Sequence, residues 1–347
     1  MTSLNQKVIK MDISIPYYQD MTRISNSNIG WFMKYGPAYL HSKLSGEIPD
    51  ENAPQLARGT MIHEFLLQPE EFAKDYVVWD APTPSSDQEK KFCEELANTI
   101  EIEPNLALIS AYRAAYKVGN KKDETILPDA IKKASTLEKY ITSLKEHDER
   151  IKISPYQMSA LRQIKENIKN HKLASKLLVP EYVGTEDELH HEFHINWEYE
   201  VPPTINPDGF VRCKSLLDSI HFDFKNQICT IVDLKTTTHI GHFEDSMEQY
   251  DYTRQLYYYG LAAKWYIENE LKLDISNWKF EFYIIGISTA EPKHEIRVFK
   301  FKLIELVYKA YKEVNSSMLD IAWHIATGKW EHRREYYEGD GSETLML

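Results

Sequence analysis

Residues 231–239 read Ile-Val-Asp-Leu-Lys-Thr-Thr-Thr-His (IVDLKTTTH) and place an acid and a lysine two residues apart in a run otherwise typical of a buried β-strand. Side chains alternate across a strand, so Asp233 and Lys235 should point to one face and the apolar residues beside them to the other. Charged groups are costly in a core. The pair is therefore either an ion pair on the surface of a sheet or part of an active site.

The sequence around this segment alternates strand and helix patterns in an order that predicts an α/β fold. Strands are predicted at 188–199, 209–224, 228–237, 278–288 and 294–302. The second and third form a hairpin with a turn at residues 225–227. A long helix is predicted at 244–270, between the third and fourth strands, and a last helix spans 303–327, where Gly328 could end it.

The N-terminal half is predicted to be helical. Residues 22–45 form two short helices separated near Gly36 and Pro37. Residues 57–69 (ARGTMIHEFLLQP) contain a further helix, with Thr60 as its N-cap and Pro69 just past its end. Residues 79–88 form a loop, and the helical periodicity from 89 to 178 indicates an inserted subdomain. The expected division is 1–78 for N-terminal helices, 79–180 for the helical insertion, 181–337 for the main core and 338–347 for a flexible tail.

Composition narrows the functional classes. The chain has 347 residues and a formal net charge of −12, so any nucleic-acid site must be a local basic surface. Residues 111–133 hold six basic and three acidic residues. Candidate contacts to DNA phosphates in this segment are Arg113, Lys117, Lys121 and Lys122. The alternative is a solvated helical face.

Cysteine spacing and hydropathy exclude several other classes. Cys93, Cys213 and Cys229 are far apart with no CxxC, which argues against a zinc ribbon, an iron–sulfur cluster or a disulfide framework. No segment is apolar enough for a signal h-region or a bilayer span, and no GxxxxGK[ST] loop is present. The sequence therefore predicts a cytoplasmic protein with no membrane partner and no ATP-driven motor.

The predicted hairpin brings together groups that suit a divalent metal. Asp218 lies near the end of one strand, and Asp233 and Lys235 lie on its partner. Carboxylates are ligands that Mg²⁺ prefers, and a neighbouring lysine can hold or activate an attacking water. An ordinary exposed sheet face with acidic and basic residues is the alternative.

Four short motifs occur in the order found in one nuclease superfamily. They are GTMIH at 59–63, KSLLD at 214–218, DLK at 233–235 and QLYYY at 255–259. Together they resemble the GxxxH helix, the first acidic strand, the (D/E)xK strand and the QxxxY helix of the PD-(D/E)XK nucleases. Within that superfamily the motifs resemble the RecB-like and RecE-type exodeoxyribonucleases. The N-terminal ISNSNIGWFMKYGPAYL and Glu192 in HHEFHINW are similar to features of the RecE-type group and favour that branch. Leu217 stands where that family often has proline.

The resemblance implies a restriction-endonuclease-like mixed central sheet flanked by helices, with the catalytic and metal-binding roles carried by the matched positions. His63, Asp218, Asp233 and the Leu234 backbone carbonyl would hold Mg²⁺ or Mn²⁺, with Glu192 as a further candidate ligand. Lys235 would position or activate water. Gln255 and Tyr259 project from one helix face and would address a phosphate or that water. Their alternative is a core stripe that also contains Tyr252.

The activity implied is metal-dependent digestion of linear duplex DNA from its 5′ end, leaving 3′ single strands for recombination, as in phages. The implied partners are DNA, a single-strand annealing recombinase and a second copy of the chain in a homo-oligomer. Arg254, turned about 100° from Gln255 on the helix, is a further candidate DNA contact, with simple solvent exposure as the alternative. A structure- or sequence-dependent endonuclease and a non-catalytic DNA-binding protein on the same fold are the other two functions considered.

Overall fold

The computed structural model describes residues 16–49, 54–99, 103–180, 184 and 187–343. Its strands in chain order are β1 (Tyr76–Val78), β2 (Ile151–Ile153), β3 (Glu188–Glu200), β4 (Phe210–Asp223), β5 (Ile228–Thr237), β6 (Lys279–Ser288) and β7 (Ile296–Phe301).

The helices alternate with these strands and complete a mixed α/β fold, as the sequence predicts. They are α1 (Asn26–Tyr35), α2 (Pro37–Leu44), α3 (Pro54–Leu67), α4 (Pro69–Asp75), α5 (Asp87–Ala97), α6 (Pro104–Ala115), α7 (Asp123–Thr136), α8 (Glu138–Lys145), α9 (Pro155–Asn170), α10 (Ala174–Leu178), α11 (Phe243–Gln249), α12 (Tyr252–Asn269), α13 (Leu303–Thr327) and α14 (Arg334–Glu338). The break between α1 and α2 falls at Gly36, and Gly328 ends α13 in the left-handed conformation, both as predicted.

The chain divides into two compact units. Unit 1 comprises residues 1–68 and 163–347, and unit 2 comprises residues 69–162. The helical insertion expected at 79–180 overlaps unit 2. Residues 344–347 of the expected flexible tail lie outside the described part of the chain.

Unit 1 is built on a five-stranded mixed sheet. The strands lie in the order β3-β4-β5-β6-β7, with β5 and β6 parallel and every other neighbouring pair antiparallel. The parallel connection runs through α11 and α12, and α12 packs against β3, β4 and β5. The buried residues of α12, such as Leu256 and Ala262, join the core formed with Ile231 and Phe282 of the sheet. This packing fixes α12 beside the strands that carry the acidic motifs.

Every second residue of β4 points into the core, and this alternation shifts by one position at Asp218. Val211, Cys213 and Leu217 enter the core before this position, whereas Ile220 and Phe222 enter it afterwards. The ladder with β3 is interrupted at the same point, between the His191–Ser219 and Phe193–Leu217 pairs. The shift therefore leaves a break in a buried sheet where polar side chains can gather.

Unit 2 consists mainly of helices around a small core. Phe92 and Cys93 of α5 pack with Ala111, Ala130 and Ile141 from α6, α7 and α8. The three-residue strands β1 and β2 form a parallel pair, and neither strand is predicted from the sequence. Strands this short carry too few alternations to be recognised from periodicity.

Two local predictions are wrong. Thr60 is not an N-cap, because α3 begins six residues earlier, at Pro54, and Thr60 lies inside the helix. The single helix predicted at 244–270 is two helices, because Asp251 adopts a left-handed backbone conformation (φ 50°) between α11 and α12. Within the described residues, no helix combines the length and the apolar character that a bilayer crossing requires.

Candidate active site

Helix α3 delivers His63 to the end of the β4–β5 hairpin. His63 Nε2 lies 3.1 Å from the backbone oxygen of Leu234, and its Nδ1 lies 3.8 Å from Asp218 Oδ2. A ring nitrogen that contacts a carbonyl oxygen donates a proton to it, so Nε2 carries a hydrogen. The other ring nitrogen, Nδ1, faces the carboxylate and is the one placed to ligate a metal. Leu234 O, proposed from the resemblance as a metal ligand, accepts this bond and retains a second lone pair.

Asp218 lies where pairing between β4 and β5 stops. The last paired residues are Ser219 and Val232, and beyond them the Asp218 side chain replaces the ladder, because Leu234 N donates to its Oδ2 at 2.6 Å. One carboxylate oxygen is thereby fixed by the backbone of the strand that carries Asp233 and Lys235. The other oxygen remains available to a ligand.

Glu192 joins His63 and Asp218 to form a three-residue acidic cluster. One ligand atom from each of these residues lies within 4.8 Å of the other two. Glu192 lies between His191 and Phe193, at the gap in the β3–β4 ladder where Asp218 also lies, and has a φ of 48°. This left-handed conformation is unfavourable for residues other than glycine, and such strain is concentrated at functional sites. We refer to these three residues as the acidic cluster.

The electrostatics of the acidic cluster favour a cation. Burial, with smaller contributions from the charges of Asp218, Glu64 and Asp233, raises the pKa of Glu192 to about 8. A buried carboxylate among other carboxylates is costly to ionise unless a positive charge offsets them. Two carboxylates and an imidazole are hard oxygen and borderline nitrogen donors, a set that fits Mg²⁺ or Mn²⁺. The residues present therefore fit a divalent metal.

Asp233 and Lys235 point to the same side of β5, as the alternation predicts. Lys235 Nζ lies 2.7 Å from Asp233 Oδ2 and 4.9 Å from the ring centre of Tyr252 on α12. Asp233 is 1% exposed, and neither of its oxygens makes a hydrogen bond of normal geometry with the described residues. Burial raises its pKa to about 6, against the opposing effect of the Lys235 charge. Asp233 does not belong to the acidic cluster, and its role as a metal ligand stays a prediction.

The ammonium of Lys235 stays charged in spite of its surroundings. Burial lowers the pKa of Lys235, but the carboxylates of Asp233 and Asp218 raise it by more, so the net shift is upward. Lys235 thus supplies a fixed positive charge within the field of Asp218, a member of the acidic cluster.

Tyr252 lies against this ammonium, although the sequence places it only in a stripe of core residues. Its position seven residues before Tyr259, on the same helix face, was the available signal.

Gln255 and Tyr259 act as a pair on α12. Gln255 Nε2 donates to the Tyr259 hydroxyl at 2.8 Å. Burial raises the pKa of Tyr259 well above its usual range, and the charges of Asp233 and Asp218 add to this shift. The phenol therefore remains protonated and lies in the electrostatic field of the hairpin carboxylates. The structure places both residues beside the site, and their catalytic roles stay predictions.

Arg254 lies inside unit 1 and not on its surface. The residue is 7% exposed, its Nε donates to Asn26 Oδ1 at 3.1 Å, and its NH1 lies 2.8 Å from Asp251 Oδ2. These bonds tie α12 to the start of α1, so the structure gives the guanidinium a structural role. Arg254 therefore presents no exposed charge to DNA. The alternative, that the side chain is simply exposed to solvent, does not hold either, because the side chain is buried.

The basic residues of the 111–133 segment belong to unit 2. Arg113 NH2 donates to Asp123 Oδ1 and to the backbone oxygen of Lys121, each at 2.6 Å. Lys117, Lys121 and Lys122 have exposed side chains. Arg113 is thus engaged in joining α6 to α7, whereas the three lysines present their charges to solvent. Their contact with DNA stays a prediction.

Comparison with known proteins gives only weak similarities. No family model matches the sequence, and no curated protein matches it. Two crystal structures are weakly similar to this chain. A candidate exonuclease from Eubacterium rectale has a TM-score of 0.45 and 12% identity, covering 100% of this chain and 96% of the other. The protein SSO0001 has a TM-score of 0.23 and 12% identity, covering 68% of this chain and 87% of the other. The interpretation of the site therefore depends on its own geometry.

Proposed function

We propose that this chain is a metal-dependent DNA nuclease. The observation that carries the proposal is the convergence of His63, Glu192 and Asp218 beside the buried Asp233–Lys235 pair. The acidic cluster concentrates negative charge that needs a cation, and the lysine adds a fixed positive charge next to it. This combination suits the hydrolysis of a phosphodiester bond, in which a metal and a cation share the charge of the phosphate.

Each side chain has a definite task in this proposal. The acidic cluster would hold the ion, with Nδ1 of His63 as the nitrogen donor. When bound, the divalent ion polarises the phosphate and lowers the pKa of a coordinated water. Lys235 positions the attacking water and stabilises charge on the phosphate, and Asp233 keeps that ammonium in place. Tyr259, protonated and bonded to Gln255, offers a hydroxyl to the same region.

The finer activity follows the motif resemblance and not the geometry. We propose exonuclease action on linear duplex DNA from the 5′ end with Mg²⁺ or Mn²⁺, giving 3′ single strands for recombination. A single-strand annealing recombinase would use that product, and a homo-oligomer would keep the DNA enclosed. A cytoplasmic location is part of this proposal. Endonuclease action of the same site is the second candidate, because the acidic cluster itself does not require a DNA end.

The test is hydrolysis of DNA of defined topology. Linear duplexes labelled at either the 5′ or the 3′ end are incubated with the protein and Mg²⁺ or Mn²⁺, beside nicked and covalently closed circles. Early release of the 5′ label with circles untouched supports the proposal. Release of the 3′ label reverses the polarity, and cleavage of closed circles establishes the endonuclease. Absence of hydrolysis with either metal leaves a DNA-binding protein on this fold.

A matched pair of variants assigns any activity to this site. Asp218→Asn removes the charge of a cluster carboxylate, so hydrolysis should be lost. Asp223→Asn makes the same change at the far end of β4, where the carboxylate accepts hydrogen bonds from the turn residue Asn226. Equal activity of the two variants would mean that the hydrolysis comes from another site or from a contaminant.

A further inference from the structure

A short N-terminal segment with an exposed tyrosine lies beside the strands that carry the acidic cluster. Residues 17–19 form a single turn of 3₁₀ helix, and Tyr18 within it is 75% exposed. The neighbouring Tyr17 ring packs against both Tyr18 and His194, and His194 lies two residues from Glu192 on β3, so the segment lies beside a strand of the acidic cluster. Consistent with this position, burial and then the charges of Glu192, Asp218 and Glu64 raise the pKa of Tyr18.

The segment is held in place by a buried lysine. Lys214 lies on β4 four residues before Asp218, is 7% exposed, and donates its Nζ to the backbone oxygens of Tyr17 and Asp20. The same Nζ lies 4.6 Å from the centre of the Tyr17 ring. One strand thus supplies both a cluster carboxylate and the clamp of the tyrosine segment.

Aromatic packing and backbone bonds fix the segment further. The Tyr17 ring packs edge-on against Tyr18 and against His194, with centroid distances of 5.2 and 5.3 Å. Asp20 accepts hydrogen bonds from Thr22, and Ile24 then pairs with β4 at Cys213. Tyr18 is therefore an exposed ring on a supported backbone, and it needs little ordering to make a flat contact with a ligand.

We propose that Tyr18 is a positioning residue that stacks on an unpaired nucleobase next to the phosphodiester bond cleaved at the acidic cluster. The inference rests on the nuclease function proposed above. A base inside a duplex is covered on both faces by its neighbours, so a base that stacks on Tyr18 next to an internal phosphodiester bond would belong to a frayed or flipped nucleotide. Stacking of a base on an aromatic side chain tolerates any sequence, as a non-specific nuclease requires.

Abasic substrates test this contact directly. The cleaved bond is first mapped, and duplexes are then made that lack one base at each of the two nucleotides on either side of it. In single-turnover cleavage, one of these positions should slow the parent protein about 10-fold, the effect expected when one stacked base is removed. Tyr18→Ala should be slowed by a similar factor on intact DNA and should show no further loss on that abasic substrate.

Two further variants separate stacking from other roles. Tyr18→Phe keeps the ring and should retain the parent rate, whereas Tyr308→Ala removes an exposed tyrosine on α13 and should change nothing. Loss of activity in Tyr18→Phe would mean that the hydroxyl acts, which overturns the stacking contact. The stacking contact would also be overturned if removal of the base and Tyr18→Ala slowed cleavage independently, so that the two rate factors multiplied at every tested position.

Binding measurements keep this result distinct from the nuclease proposal. If the parent cleaves but the effects are independent, the nuclease stands and the role of Tyr18 is rejected. A parent that binds the duplexes, as measured by fluorescence anisotropy, but does not cleave them in Mg²⁺ or Mn²⁺ rejects the nuclease, and with it the stacking beside a cleaved bond. A parent that neither cleaves nor binds DNA rejects the nuclease and the stacking together.

Discussion

Two lysine–carboxylate pairs in this chain have nearly equal separations and opposite electrostatic character. Lys235 Nζ lies 2.7 Å from Asp233 on β5. Lys133 Nζ lies 2.8 Å from Glu89 in unit 2. Burial raises the pKa of Asp233 to about 6, whereas the hydrogen bond from Lys133 is the main reason that the pKa of Glu89 falls to about 2. The distance between two charges therefore does not decide whether the pair stabilises the fold.

The surroundings of the two carboxylates explain the difference. Glu89 is partly exposed, and its second oxygen accepts bonds from Ser85 N and Oγ at 2.8 and 2.7 Å. Asp233 is buried, and its oxygens lack such donors. Desolvation of a buried ion pair can cost more than the attraction returns when the remaining lone pairs are unsatisfied. We infer that the Asp233–Lys235 pair is retained for chemistry and the Glu89–Lys133 pair for stability.

The largest expected effect is the loss of catalysis in Lys235→Ala. Removing the ammonium removes the charge that stabilises the phosphate, which costs on the order of 10² to 10³ in rate, or about 3 to 4 kcal/mol. Because an ammonium cannot ligate a metal, Mn²⁺ affinity should stay equal or rise. Single-turnover cleavage and calorimetric Mn²⁺ titration measure the two quantities, and circular dichroism checks folding.

Lys133→Ala is the control for this comparison, since it removes a lysine at the same distance from a carboxylate. It should keep the parent rate. A folded Lys235→Ala protein that cleaves at the parent rate would leave Asp233 and Lys235 as an ordinary ion pair.

A smaller effect is expected when the acidic cluster loses one charge without losing its shape. Glu192→Gln should weaken Mn²⁺ binding at least about 10-fold, the scale seen when groups around a metal are altered. Glu198→Gln makes the same change at an exposed position of β3 and should leave the affinity unchanged. Equal affinities in calorimetry would remove Glu192 from the metal site and limit the ligands to His63 and the hairpin carboxylates.

Much of the site could be predicted because its residues lie on regular elements. Strand alternation places Asp233 and Lys235 together, and helical spacing places Gln255 and Tyr259 on one face, as the structure has them. The order of short motifs links His63 to Asp218 across more than 150 positions of sequence. Periodicity and spacing are local properties, so they can be recognised without knowing the packing.

The remaining features depend on departures from regular structure. The acidic cluster lies where Glu192 adopts a left-handed backbone conformation and where the alternation of core residues along β4 shifts at Asp218. No periodic pattern in the sequence predicts either feature. The same holds for the left-handed Asp251, which breaks the predicted helix and leaves its carboxylate to bind Arg254. The segment that carries Tyr18 is held beside β4 by Lys214, and its position depends on the three-dimensional path of the chain, for which the sequence gives no signal.

The exposed lysines of unit 2 test whether charge outside the candidate site takes part in DNA binding. Charge reversal at Lys117, Lys121 and Lys122 should weaken binding several-fold and reduce the salt slope by about one for each phosphate that is no longer neutralised. Reversal of Lys302, Lys309 and Lys312, exposed on and beside α13, is the matched control. Fluorescence anisotropy across a salt series measures both. An unchanged slope in the first variant would leave its lysines as a solvated surface.

The smallest expected effect completes the comparison of the two ion pairs and concerns stability at Glu89. Its folded pKa, about 2, lies below the usual 4.5, so the pair contributes stability above pH 4.5 and loses that contribution as the pH falls from 4.5 towards 2. Solvent screens a partly exposed pair, so the contribution is about 1 kcal/mol. Glu89→Gln should therefore lower the protection of α5 amides in hydrogen exchange at pH 7, and the difference from the parent should vanish near pH 2. Glu95→Gln, exposed on the same helix, should change little at either pH. A Glu89→Gln difference that persists unchanged at low pH would mean that the side chain acts through packing, and the electrostatic contrast with Asp233 would no longer hold.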